Sequence, residues 1–260
     1  MRILFIGDLV GSGGRKILKA RLPDLKKSYQ IDVCVANAEN AAAGLGLTAV
    51  LARDIHASGV DVITMGNHCW SKHEFLQSAD DFKHLVRPAN MPSAWPGRDH
   101  TVYEHGSGRL IVINLLGRVY MDPADDPFAA ADRLVTALKE QYATKMVLID
   151  FHAEATAEKS AMAWYLNGRA SAVIGTHTHV QTADEVILDR GTAFITDVGM
   201  TGPVDGIIGM ERRSSLRRFV DRLPAAYEVA QGRNALCAVM IETDPVTGQA
   251  VRIERIRVSE

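Results

Sequence analysis

Side chains able to bind a metal or move a proton recur in one kind of place along this chain. Asp8 follows the apolar run ILFIG, Glu39 and Asn40 follow VCVANA, Asn67 and His68 follow VITMG, His152 follows MVLIDF, and His177 and His179 follow AVIGT. Carboxylate and amide oxygens with neutral imidazoles, and no thiolate among them, suit iron, manganese or zinc better than copper or an all-oxygen calcium site. Each residue alone reads as structural: Asp8 as a turn residue, Glu39-Asn40 as a cap, His152 as a core histidine. Five strand ends delivering such groups together read as a site, because ligands of open α/β sheets collect beyond the C-terminal ends of the strands. The sharpest element is His177 with His179, since two imidazoles one residue apart can face neighbouring ions.

The elements that must position these groups follow from periodicity. Short apolar runs rich in β-branched residues alternate with stretches of helical spacing, which predicts an α/β fold. Strands are expected at Arg2–Ile6, Asp32–Ala36, Val62–Met65, Leu110–Asn114, Met146–Ile149, Ala172–Ile174 and Ala193–Ile195. Helices are expected at Arg15–Leu25, Thr48–Ala57 and Phe128–Gln141, with Thr48 capping the second and Asp125 or Asp126 the third. After Arg217, the runs Leu236–Glu242 and Gln249–Val258, joined by the turn Asp244–Gly248, predict a closing C-terminal β-hairpin. No Ser- or Pro-rich linker interrupts the chain, so residues 1–260 are expected to form a single domain.

In order and context the motifs resemble those of the calcineurin-like metallophosphoesterases. They read Gly7-Asp8, Glu39-Asn40, Gly66-Asn67-His68, the lone His152, and Thr176-His177-Thr178-His179. The sequence is similar more closely to the YmdB-like bacterial branch, through GDLVGSGGR, NAENAAAGLG, DFHAEATAEK, GTHTHVQTAD and ITDVGMTGP, which run from residue 7 to about residue 203. This resemblance implies a metallophosphoesterase-type β-sheet sandwich flanked by helices. It also implies two divalent or transition-metal ions per chain, iron or manganese first, with zinc or magnesium as alternatives. One ion would be bound by Asp8, Glu39, Asn40 and His179, and the other by Glu39, Asn67, His152 and His177, with Glu39 bridging. The chain departs from the general pattern at Val10, where a histidine is usual, and at Glu39, where an aspartate is usual; the branch implies that Asn40 replaces the missing ligand.

The implied activity is a phosphodiesterase acting on cyclic nucleotides, 2′,3′-cyclic monophosphates first. Paired ions can hold and activate a hydroxide and clamp the free oxygens of a phosphate ester. A departing alkoxide then needs a proton, and His68, next to Asn67, is the candidate general acid. Two alternatives remain: a phosphomonoesterase or nucleotidase, and a metal-dependent regulatory binding protein in which catalysis is incidental.

The rest of the sequence bounds the partners. The 29 basic and 31 acidic residues leave a net charge of −2, which argues against broad nucleic-acid binding. A small phosphodiester is the better fit, because bound cations would attract it locally. Cys34, Cys69 and Cys237 form no CxxC pair and are expected to be reduced, with Cys69 a packing neighbour of the site. The apolar start stops at Gly7-Asp8 and no run approaches the ~20 residues of a membrane span, so a cytoplasmic protein is expected. Homo-oligomerisation is expected only as a common habit of soluble enzymes. The Gly11–Arg15 segment reads as a loop opening a helix, and the resemblance to the branch implies that Met200–Pro203 is a loop near the site. Arg212, Arg213, Arg217 and Arg218 read as the solvated face of an amphipathic helix around Leu216 and Phe219.

Overall fold

The computed structural model describes residues 1–260. In chain order the elements are β1 (Arg2–Ile6), β2 (Asp8–Leu9), α1 (Gly11–Tyr29), β3 (Val33–Asn37), α2 (Ala49–Ala57), β4 (Val62–Thr64), β5 (Leu85–Val86), β6 (His100–His105) and β7 (Gly108–Leu116). There follow α3 (Pro127–Gln141), β8 (Met146–His152), α4 (Thr156–Tyr165), β9 (Ala172–Thr176), β10 (Val186–Ile187), β11 (Ala193–Ile195), β12 (Met200–Pro203), α5 (Arg212–Phe219), β13 (Asn234–Thr243) and β14 (Ala250–Ser259). One sheet runs β2-β12-β13-β1-β3-β4-β5, with β14 paired to β13, and the other runs β10-β11-β9-β8-β7-β6. The chemistry-bearing strands β1, β3 and β4 are mutually parallel, as are β7, β8, β9 and β11. Their C-terminal ends therefore open on common edges.

Both faces of each sheet are buried, which explains the continuous apolar runs. Ile3, Phe5, Val33 and Val35 of the first sheet share one core with Leu110, Val112, Leu148 and Ile174 of the second. The alternate residues Leu4, Ile6, Cys34 and Ala36 pack with Ile17, Leu18 and Leu22 of α1 and with Ile55 of α2. Ile111, Ile113, Ile149 and Val173 pack with Leu134, Val135 and Leu138 of α3 and with Met162 of α4. The result is a helix–sheet–sheet–helix sandwich, closed by the C-terminal hairpin.

Capping agrees with the spacing. Thr48 accepts from Leu51 N–H at 3.3 Å, and Asp126 accepts from Phe128 and Ala129 N–H at 2.8 and 3.3 Å. Three expectations need correction. Gly11–Arg15 is the first turn of α1 and no loop: a Cβ at Gly13 would lie 2.2 Å from Asn234 Oδ1, and one at Gly14 2.3 Å from the Thr201 carbonyl, so these glycines let the helix lie against β12 and β13. Met200–Pro203 is the buried strand β12, paired with β2 and β13. On α5 the four arginines are exposed as expected, but Leu216 and Phe219 are 50% and 70% exposed and do not enter the core. No helix is long and apolar enough to cross a membrane.

Candidate metal centre

The strand ends bring all seven ligand-type residues into two groups. His152 Nε2, at the end of β8, lies 2.9 Å from Asn67 Oδ1, 3.1 Å from Glu39 Oε1 and 3.1 Å from His177 Nδ1. His179 Nε2 lies 3.2 Å from Asn40 Nδ2 and 3.4 Å from Asp8 Oδ2, while Asn40 Nδ2 is 3.3 Å from Glu39 Oε1. One carboxylate oxygen, Glu39 Oε1, thus belongs to both groups.

Neighbouring side chains choose which nitrogen each imidazole presents. Thr176 Oγ1 donates to Asp150 Oδ1 at 2.7 Å, so it accepts from His152 Nδ1–H at 2.9 Å, and Nε2 is the nitrogen that faces the cluster. His177 Nε2–H points at Glu154 Oε2, 3.2 Å away, leaving Nδ1 for the cluster. His179 Nδ1–H donates to the Ile208 carbonyl at 2.9 Å, leaving Nε2. Asn37 Nδ2 completes the support by donating to Asp150 Oδ2 at 3.2 Å.

The loop after β9 is strained. His177 and His179 have φ of 99° and 67°, left-handed conformations that cost non-glycine residues on the order of 1–3 kcal/mol each. Asp197 holds the turn: its Oδ2 accepts from Thr178 N–H at 3.0 Å and Thr178 Oγ1 at 2.7 Å, and from the buried Lys159 Nζ at 2.7 Å. Asp8 Oδ2 adds a bond from His177 N–H at 3.0 Å.

The electrostatics suit a cation. Asp8 is fully buried, and its Oδ1 has no hydrogen-bond partner. Burial holds the Asp8 carboxyl well above its ordinary range; His152 opposes this, and Glu39, Asp197 and Asp150 add to it. Burial also disfavours charge on Glu39 and His152, yet their mutual attraction overcomes it, bringing Glu39 down to about 2 and raising His152 to about 9. Burial and the neighbouring His152 charge push His177 down to about 3, and burial lowers His179. Neutral His177 and His179, an ionised Glu39 and the unpartnered Asp8 oxygen form a donor set that fits divalent metal. As placed, Asn40 turns its NH₂ toward this set, and only the amide oxygen, after a half-rotation, would be a ligand. At Gly66 a Cβ would lie 2.4 Å from Glu39 Oε2 and 2.5 Å from His152 Nε2, so nothing larger than glycine fits beside the cluster. Cys69 is buried, and burial followed by the Glu39 charge pushes its thiol up to about 12, in keeping with packing and not ligation.

A cavity of about 610 Å³ opens over the cluster, lined by Glu39, Asn40, His68, His177 and His179 together with Leu45, Ile208, Met210, Phe219 and Tyr227. His68 anchors its backbone N–H on Glu39 Oε2 at 2.8 Å. Sequence reasoning missed Asp150, Glu154, Lys159, Thr176 and Asp197. Two carried signals: Asp150 is a charge inside an apolar strand, and Asp197 follows β11 just as Asp8 follows β1.

A two-sheet sandwich with helices outside and a carboxylate, amide and imidazole cluster at the strand ends is the architecture of a metallophosphoesterase-type protein. The family model described as "YmdB-like protein" matches residues 4–256, and the chain belongs to that family. It is 52% identical over 260 residues, 100% of this chain and 98% of the relative, to a 2′,3′-cyclic-nucleotide 2′-phosphodiesterase of Bacillus subtilis strain 168. A crystal structure of a hypothetical protein from Thermus thermophilus superposes with a TM-score of 0.93 at 42% identity, covering 100% of each chain. One of a novel phosphatase from Mycoplasma pneumoniae gives 0.93 at 34% identity, covering 100% of this chain and 93% of the other.

Proposed function

We propose that this protein is a metal-dependent phosphodiesterase that opens 2′,3′-cyclic nucleotides. The observation that carries the reading is the pair of ligand groups sharing Glu39 Oε1, on a chain similar from end to end to an enzyme of that activity. Asp8, Glu39, Asn40 and His179 would hold one ion and Glu39, Asn67, His152 and His177 a second, iron or manganese being the expected metals. When bound, such ions supply activation of a water and neutralise the non-bridging phosphate oxygens. Thr176, Glu154 and the Ile208 carbonyl keep the three imidazole lone pairs aimed inward. His68, on the cavity wall, gives a proton to the departing ribose oxygen.

The test is hydrolysis of 2′,3′-cyclic AMP beside a phosphomonoester by protein loaded with Mn²⁺ or Fe²⁺, with metal content measured. No diester turnover at full occupancy overturns the reading, and preference for the monoester turns it into a phosphatase. His68→Ala is expected to keep its metal and lose roughly 10²–10⁴ in kcat; wild-type turnover would remove His68 from the role of acid.

A pH dependence follows from His152. Its folded-state pKa is raised to about 9, so the stabilisation it gains beside Glu39 is fully present below the unfolded value near 6.5 and lost as pH rises through about 9. Metal needs the neutral ring, so Mn²⁺ binding at pH 7 is expected to release a proton and to tighten as pH approaches 9. Titration calorimetry in two buffers of different ionisation enthalpy reads this directly. Proton release of zero at pH 7 would contradict it.

A further inference from the structure

The cavity over the cluster has apolar lining that the reaction chemistry does not use. Phe219, at the end of α5, is 70% exposed, and Tyr227 and Ile208 are 55% and 51% exposed, yet all three line the same cavity as His68 and His179. Tyr227 is held in place: the Arg218 guanidinium sits 4.1 Å from its ring centroid, and Arg218 also donates to the Ala225 carbonyl at 3.1 Å. Glu211 caps α5 by accepting from Arg213 and Ser214 N–H at 2.8 and 2.7 Å, so the helix that carries Phe219 begins at a fixed point. Apolar side chains exposed singly are common, but several exposed together along one cavity mark a ligand or partner surface. Here the exposed rings line the same cavity as the polar cluster, and a volume of about 610 Å³ is ample for a ligand with one charged and one flat apolar end.

We propose that Phe219 and Tyr227, with Leu45, Ile208 and Met210, form the subsite that takes the nucleobase of the substrate, and that stacking there sets selectivity for base-bearing diesters. The inference rests on the phosphodiesterase reading. Stacking tolerates every base because each has a π-face, so purines and pyrimidines are both accepted, with the larger purine surface favoured.

The experiment compares two substrates of the full-length, metal-loaded protein that share the reacting group: 2′,3′-cyclic AMP and methyl riboside 2,3-cyclic phosphate, which lacks the base. Phe219→Ala and Tyr227→Ala are each expected to reduce the ratio of kcat/KM for the two substrates by roughly 10-fold, through KM on the nucleotide, and Phe219→Trp to restore it. An unaltered ratio, or equal losses on both substrates, overturns the proposal. Binding of adenosine, followed calorimetrically, decides it without turnover. Saturable binding by the wild type that Phe219→Ala weakens supports the base subsite, and no binding overturns it. Hydrolysis of neither diester by the wild type would instead defeat the reading of the activity, with the adenosine arm still deciding the subsite.

Discussion

Glu39→Gln is expected to abolish measurable diester hydrolysis, a loss of at least about 10³-fold, and to leave the purified protein depleted of metal. The substitution keeps shape and volume, removes the charge and turns one acceptor oxygen into an NH₂ donor. That charge faces His152 Nε2 at 3.1 Å and Asn40 Nδ2 at 3.3 Å, so both ligand groups lose the anion they share. The other anionic donor, Asp8, sits where burial holds its carboxyl protonated more readily, so it does not compensate. Metal analysis with activity on 2′,3′-cyclic AMP checks the result, and full metal content in the Glu39→Gln variant would show that Glu39 bridges nothing. The same change leaves His152 buried without its partner carboxylate. Its ring is then expected to be neutral at pH 7, so proton release on Mn²⁺ addition should vanish along with tight binding.

Much of this centre is legible in the amino-acid order, and for a physical reason. Strands covered on both faces need unbroken apolar runs, so Asp8, Glu39, Asn67 and His177 stand out as polar residues at the places where those runs stop. Ala193–Ile195 and Arg2–Ile6 match their predicted bounds, β7 runs two residues past its bounds at each end, and β8 and β9 extend beyond theirs because Asp150 and Thr176, like Asn114 within β7, are polar yet fully buried. Those polar residues bond one another across the sheet, which spacing cannot reveal. β12 escaped for the opposite reason: Gly202 and Pro203 argue against a strand, but Gly202 lies where a Cβ would meet Val10 at 2.9 Å, and Pro203 closes the strand. Helix α4 shows no apolar stripe through its first turn because its buried face includes Glu158 and Lys159 beside Met162 and Ala163. The Ile208 carbonyl that orients His179 is a backbone atom 29 residues away, invisible to any side-chain pattern.

The buried Lys159 is the residue whose loss should cost the fold most. Its Nζ donates to Asp197 Oδ2 at 2.7 Å with both side chains about 1% exposed, so neither charge has water to turn to. Lys159→Met leaves the buried Asp197 carboxylate with amide and hydroxyl donors alone and no cation. Removing one member of such a pair typically destabilises by about 3–5 kcal/mol, roughly a 10 °C fall in the unfolding midpoint for a chain of this size. Asp197 also accepts both Thr178 bonds that hold the strained turn between His177 and His179, so the two effects can be separated. In Lys159→Met with Asp197→Val the buried charges are gone together, and much of the stability should return. The Thr178 N–H and hydroxyl then have no acceptor, the histidine turn relaxes, and Mn²⁺ affinity should stay at least about 10-fold below wild type. Calorimetric unfolding and metal titration of the single and double variants read the two quantities side by side. Stability and affinity recovering together would mean that the pair serves the fold alone and has no part in aiming the histidines.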